Sequence, residues 1–91
     1  MDIIRRRIRL EGAVQGVGLR WRACHAADAV GATGWVRNEG DGTVLMEIQG
    51  NESQIDAVIR AIERGTYVFI ESMDARRIPL EEDENCFREK E

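Results

Sequence analysis

The residue types that could do chemistry gather in one stretch, Gly12-Ala-Val-Gln-Gly-Val-Gly-Leu-Arg20. A strand-like alternation ends there in glycines and a helical pattern begins. Unpaired backbone N–H groups at a helix start point outward, and the helix dipole adds roughly half a positive charge there. Such a junction favours a phosphate or a carboxylate. Gly16 and Gly18 allow the backbone to curl closely around an anion. Arg20 and Arg22 fall in the first helical turn, where the dipole disfavours each cation by about 0.3–1 kcal/mol. Negative charge is therefore expected nearby. The stretch is not a nucleotide motif, because Gly16-Val-Gly-Leu-Arg-Trp21 lacks the third glycine of the dinucleotide fingerprint and no Gly-Lys-Ser/Thr follows. His25, the one histidine, invites a role as general base. Five residues beyond Arg20, it lies about 140° around the helix and should point away from the anion. Cys24 and Cys86 form no metal-ligand spacing with His25, so no metal or cofactor is expected.

The elements that must position this loop follow from periodicity. Ile4, Ile8 and Leu10 alternate with Arg5, Arg7, Arg9 and Glu11, the signature of a strand with one buried face. Arg6 breaks the apolar face and reads as structural. Leu19, Ala23, Ala26, Ala27 and Val30 recur at helical spacing before a glycine stop at Gly31. Gly34-Trp-Val-Arg-Asn38 and Thr43-Val-Leu-Met-Glu-Ile-Gln49 flank the turn residues Glu39-Gly-Asp-Gly42, giving two hairpin strands. Asn51 with Gln54 forms a capping box for a second helix, whose stripe of Ile55, Val58, Ile59 and Ile62 ends at Gly65. A fourth strand runs from Tyr67 towards an irregular exit at Pro79, and a short last one is expected around Cys86-Phe87-Arg88. The order βαββαβ is the split β-α-β sandwich of the ferredoxin-like α+β class: an antiparallel sheet with two helices on one face and water on the other.

Composition narrows the function. Ninety-one residues, 43% hydrophobic and 33% charged, describe one soluble domain spanning residues 1–91. A net charge of −4 speaks against nucleic-acid binding, which needs a basic face. The start Met-Asp-Ile-Ile-Arg-Arg has no apolar signal core, and no run approaches the roughly 20 apolar residues of a membrane helix, so no membrane partner and a cytoplasmic location are expected. The arginines of the first strand and the acidic residues from Glu81 to Glu91 read as two solvated surfaces in weak mutual attraction.

Taken together, Gly12–Arg20, Ala27, Gly31, Gly34-Trp-Val-Arg-Asn38, Asp41-Gly42 and Gly50 resemble the acylphosphatase family over most of the chain. The resemblance implies the same ferredoxin-like fold. It also implies metal-free hydrolysis of small acyl phosphates to a carboxylate and inorganic phosphate; a monomer is expected, though the sequence leaves the oligomeric state open. By the same resemblance Arg20 and Asn38 are the catalytic pair, with Gln15, Gly16, Val17, Gly18, Leu19 and Arg20 binding phosphate. The chemistry suits these residues. A guanidinium holds two phosphate oxygens at once, and the N–H groups from Gln15 to Arg20 can cradle the others. Asn38 does not titrate, but its amide can orient an attacking water, whose proton then passes to the substrate phosphate. Without the surrounding motif, Asn38 would read as a turn residue.

Leu19 stands where the family usually has Phe, and Glu89-Lys-Glu91 replaces its usual apolar and aromatic ending. Residues 66–72 also match less well. The last strand is accordingly expected to be short. Trp21 and Trp35 are expected to pack in the core or at its edge, and Arg37 to face away from Asn38. A non-catalytic phosphate-binding regulatory module of the same fold is the alternative function. The acylphosphatase-like domain of carbamoyl-transfer maturation proteins is a further rival, in which more catalytic regions would follow.

Overall fold

The computed structural model describes residues 2–91. The elements run β1 (Ile4–Ala13), α1 (Leu19–Val30), β2 (Thr33–Asn38), β3 (Val44–Gly50), α2 (Glu52–Glu63), β4 (Phe69–Ile78) and β5 (Phe87–Glu89). The apolar positions of β1 bury Ile4, Ile8 and Leu10 against Val36, Met46 and Ile48 from the sheet and Ala23, Ala27, Ile55, Val58 and Ile62 from the helices. The two helices thus share one face, and the core lies between them and the sheet.

Strand order is β4-β1-β3-β2-β5. The first four strands pair antiparallel, as the ferredoxin-like reading requires, but β5 pairs parallel with β2, Gly34 opposite Phe87 and Val36 opposite Glu89. The expected antiparallel sheet is therefore mixed at one edge. The cause lies in the connection. After β4, at one edge of the sheet, residues 79–86 cross its open face and deliver β5 to the other edge.

That crossing corrects the expectation of a wet second face. Glu81 and Gln49 exchange two hydrogen bonds of 2.9 Å, fixing the crossing segment over β3. Arg5, on the open side of β1, is only 1% exposed. Its guanidinium donates to Glu84 at 2.7 and 3.2 Å and to Glu47 at 3.1 Å. Burial acts to lower the Arg5 pKa, yet the bonds to Glu84 and Glu47 outweigh it and the net shift is upward. One contact between the basic start and the acidic end is thus a buried, multiply bonded pair rather than a loose surface attraction. Arg6, on the helix side, pairs with Glu52 at 3.2 Å, at the start of α2 where a carboxylate also suits the dipole.

The helix ends behave as their residues dictate. Asn51 Oδ1 accepts from the Gln54 N–H at 2.9 Å, while Gln54 Oε1 accepts from the Asn51 N–H at 2.8 Å, a complete capping box. The Gln54 amide also donates to the Val30 carbonyl at 2.8 Å, tying the start of α2 to the end of α1. Helix α1 has no such cap at its start: Gly18 precedes it in a left-handed conformation, with no side-chain hydrogen bond and no acidic residue in the first turn. One helix start is closed by its own sequence; the other is left open.

Candidate active site

The open start of α1 borders a cavity of about 190 Å³ lined by Val14, Gly16, Gly18, Leu19, Arg20, Trp21, Asn38 and Glu89. Two devices shape it. Val14 and Leu19 are buried and Val17 packs against the core, so the loop is anchored by its apolar side chains. Gly16 and Gly18, between them, take φ of +71° and +77° and stay exposed, a conformation that residues with a Cβ rarely adopt. The backbone can therefore turn its polar groups to the cavity while the loop's side chains hold it down.

Gln15 secures the loop from the other direction. Its Nε2 donates to the Glu39 carbonyl at 2.7 Å and to the Thr43 carbonyl at 2.9 Å, binding the loop to the β2–β3 hairpin. The hairpin is fixed in turn by Asp41, which accepts from the Thr43 N–H at 3.0 Å and its hydroxyl at 2.7 Å. These bonds from Thr43 hold the Asp41 carboxyl below its ordinary pKa. Because Asn38 ends β2, the same bonds fix Asn38 relative to the loop.

Arg20 and Asn38 thus meet in one cavity although a whole helix separates them in sequence. Asn38 Oδ1 is buried without a hydrogen-bond partner among the described residues. Leaving an amide oxygen in that state costs about 1–3 kcal/mol, which a structural turn residue has no reason to bear. The ion pairs among the described residues are made by Arg5, Arg6, Arg7, Arg9, Arg37 and Arg76, and Arg20 takes part in none. Of the remaining loop residues named for phosphate, Gly16, Gly18 and Leu19 line the cavity. The Gln15 and Val17 side chains are engaged elsewhere, so only their backbones can serve a ligand.

Three neighbours of the loop take positions that periodicity alone does not give. Trp21 is 63% exposed rather than packed in the core, and its ring stacks on His25 at 4.9 Å between centroids. The i,i+4 spacing places these two on one face of α1, so His25 stands behind Trp21 and outside the cavity wall. Arg22 turns away from the loop and reaches the Ala61 carbonyl at 3.5 Å, near the end of α2 where a cation is favourable. Glu89 was not among the sequence-named site residues, yet it lines the cavity; its departure from the family ending was the only signal. Trp35 does pack as expected, with Arg37 at 5.1 Å and Lys90 at 4.6 Å from its ring centre. Arg37 also bonds Glu39 at 3.2 Å, away from Asn38.

Larger hollows lie elsewhere; one of about 590 Å³ is walled by Glu81, Glu82, Asp83 and Glu84 against the single cation Arg88, a net negative lining that disfavours an anion. Among the described residues no three His, Cys, Asp or Glu side chains converge as a metal site. No helix among the described residues is long and apolar enough to cross a membrane.

Fold and cavity together define a class: an α+β sandwich with an open strand-to-helix loop and, facing it from the next strand, an arginine-accompanied amide. The acylphosphatase family model matches residues 6–89, and the chain belongs to the acylphosphatase family. An acylphosphatase of Geobacillus kaustophilus is 44% identical over 80 residues, covering 87% of this chain and 85% of that protein. The crystal structure of the Bacillus subtilis acylphosphatase superposes with a TM-score of 0.87 at 26% identity, covering 99% of this chain and all of that one. Full-length HypF, solved in a phosphate- and nucleotide-bound form, matches with a TM-score of 0.83 at 26% identity, covering 99% of this chain but 12% of that one. The ferredoxin-like fold read from periodicity agrees with these neighbours.

Proposed function

We propose that the chain hydrolyses small acyl phosphates to a carboxylate and inorganic phosphate, with Arg20 and Asn38 as its catalytic residues. The observation that carries this reading is the buried Asn38 Oδ1, without a partner among the described residues, in the cavity that Arg20 also lines. The phosphate sits against the N–H groups of the Gln15–Arg20 loop, and the Arg20 guanidinium grips two of its oxygens. Charge-assisted hydrogen bonds of this kind contribute roughly 1.5–3 kcal/mol each. Their value increases as charge spreads over the equatorial oxygens of a loose transition state. Asn38 accepts a hydrogen bond from a water and holds its oxygen towards phosphorus. The new P–O bond forms as the bond from phosphorus to the carboxyl oxygen breaks, the carboxylate leaves, and the water's proton passes to a phosphate oxygen.

The same reading takes residues 1–91 as one domain working as a monomer in the cytoplasm, without metal, cofactor or nucleic acid. The net charge of −4 is in keeping with the last point. Hydrolysis of benzoyl phosphate in the presence of a chelator tests the proposal. Turnover well above buffer, inhibited competitively by inorganic phosphate, is expected. Phosphate binding without turnover would instead identify an anion-binding module, and turnover abolished by chelator would overturn the metal-free mechanism.

A further inference from the structure

The acyl group of the substrate must occupy whatever part of the cavity the phosphate leaves, and Glu89 is the charged group waiting there. Glu89 lies opposite Val36 in the parallel β2–β5 pairing. Phe87, two residues earlier on the same face, is 5% exposed within the core, so Glu89 also faces the helix side, at its open end. Asn38 lies two residues beyond Val36 on that same face. Sheet geometry therefore sets the backbones of Glu89 and Asn38 roughly 7–8 Å apart.

No Lys or Arg among the described residues pairs with Glu89 within 4.0 Å, so its charge is not discharged by the protein. Both Glu89 and Arg20 act on the neighbouring Cys24 thiol, in opposite senses. The cavity thus has two poles: an N–H-rich loop with Arg20, and a carboxylate. A phosphate dianion is repelled by the second pole and seats on the first. The acyl group is left beside Glu89 and the exposed Trp21 ring.

We propose that Glu89 makes the acyl side of this cavity charge-selective, so that acyl phosphates carrying a cation on the acyl group are preferred over those carrying a carboxylate. The inference rests on the acylphosphatase reading above and names its substrate class. Unit charges about 8 Å apart, near the Debye length at physiological salt, interact strongly enough to change binding roughly five- to tenfold.

The test uses benzoyl phosphate, 4-(trimethylammonio)benzoyl phosphate and 4-carboxybenzoyl phosphate, a series that varies charge at one position on a common ring. KM is expected to be lowest for the cationic acyl phosphate and highest for the one carrying a carboxylate. A spread of roughly tenfold or more is expected at low salt, shrinking as salt is added. Glu89→Gln should collapse the spread by moving the two charged substrates in opposite directions, and Glu89→Lys should reverse the order. General loosening of the site cannot move two KM values oppositely. An unchanged spread in Glu89→Gln overturns the proposal, as does hydrolysis by the native protein with no charge preference. A large loss of kcat on all three substrates, with the acidic limb of the pH profile flattened, also overturns it, by making Glu89 the proton acceptor. Failure of the native protein to hydrolyse any of the three overturns the acylphosphatase reading itself and this proposal with it.

Discussion

Arg5 and Arg20 are the same residue type in opposite circumstances. Arg5 is 1% exposed, and its fork is met by Glu84, Glu47 and Gln49. Arg20 is half-buried beside a helix start with no cap and pairs with no carboxylate among the described residues. An arginine whose three nitrogens are all engaged by the protein holds the fold together. One left unanswered next to exposed N–H groups is available to a ligand. The contrast extends to the amides: Gln15 and Gln54 are bonded to backbone carbonyls, while Asn38 keeps a buried oxygen without a partner among the described residues.

The largest effect expected of this contrast is on turnover. Arg20→Ala should lower kcat/KM by roughly 10³–10⁵, the range for removing an arginine that stabilises phosphoryl transfer. Asn38→Ala should lower it by roughly 10²–10³, as when a positioned amide is removed from an anionic transition state. Both should fold normally, and His25→Ala, which alters only the stack behind Trp21, should keep most activity. Steady-state kinetics on benzoyl phosphate with parallel thermal melts would decide it. Similar losses in all three variants would break the distinction between site and scaffold.

Arg5→Ala should do the reverse. Removing one partner of a buried ion pair costs about 3–5 kcal/mol, a large share of the 5–15 kcal/mol typical of a domain. Urea unfolding should show this loss while kcat per folded molecule stays native. The double variant Arg5→Met with Glu84→Gln should regain part of the stability, because Glu84 is then neutral and Glu47 keeps Arg7 at 3.8 Å. A native urea midpoint for Arg5→Ala would show that the crossing segment is held by other contacts.

The smallest effect lies at Cys24, about one turn of α1 beyond Arg20. Burial, with Glu89 and Asp28 adding to it and Arg20 opposing, pushes its thiol from 9.0 up to about 11. The folded state therefore keeps a proton that the unfolded state releases. This contribution to stability is complete below pH 9.0 and is lost as pH rises towards about 11. Urea midpoints taken across that window should fall more for the native protein than for Cys24→Ala. Iodoacetamide at pH 8 should modify the exposed Cys86 well before Cys24. Equal rates at the two cysteines would contradict the raised pKa.

What the sequence determined by itself was local. Period-two and period-3.6 patterns located β1, α1 and α2; Asn51 and Gln54 announced a cap that formed as written; and glycines alternating with Val17 and Leu19 marked a loop that turns its backbone outward. The meeting of Arg20 with Asn38 came from resemblance to a family rather than from any period. Each of the rest depended on which distant segments touch. Trp21 read as packing because it is large and aromatic, but its position on α1 leaves it exposed against His25. The acidic end read as a solvated run, yet residues 79–86 cross the open face of the sheet. That crossing brings Glu84 to Arg5, 79 positions away in sequence. It also lays β5 parallel to β2 and sets Glu89 in the cavity. A short segment without strong periodicity carries no record of where it docks. Its place is set by the edge of the sheet left free for it and by the buried charge it must neutralise.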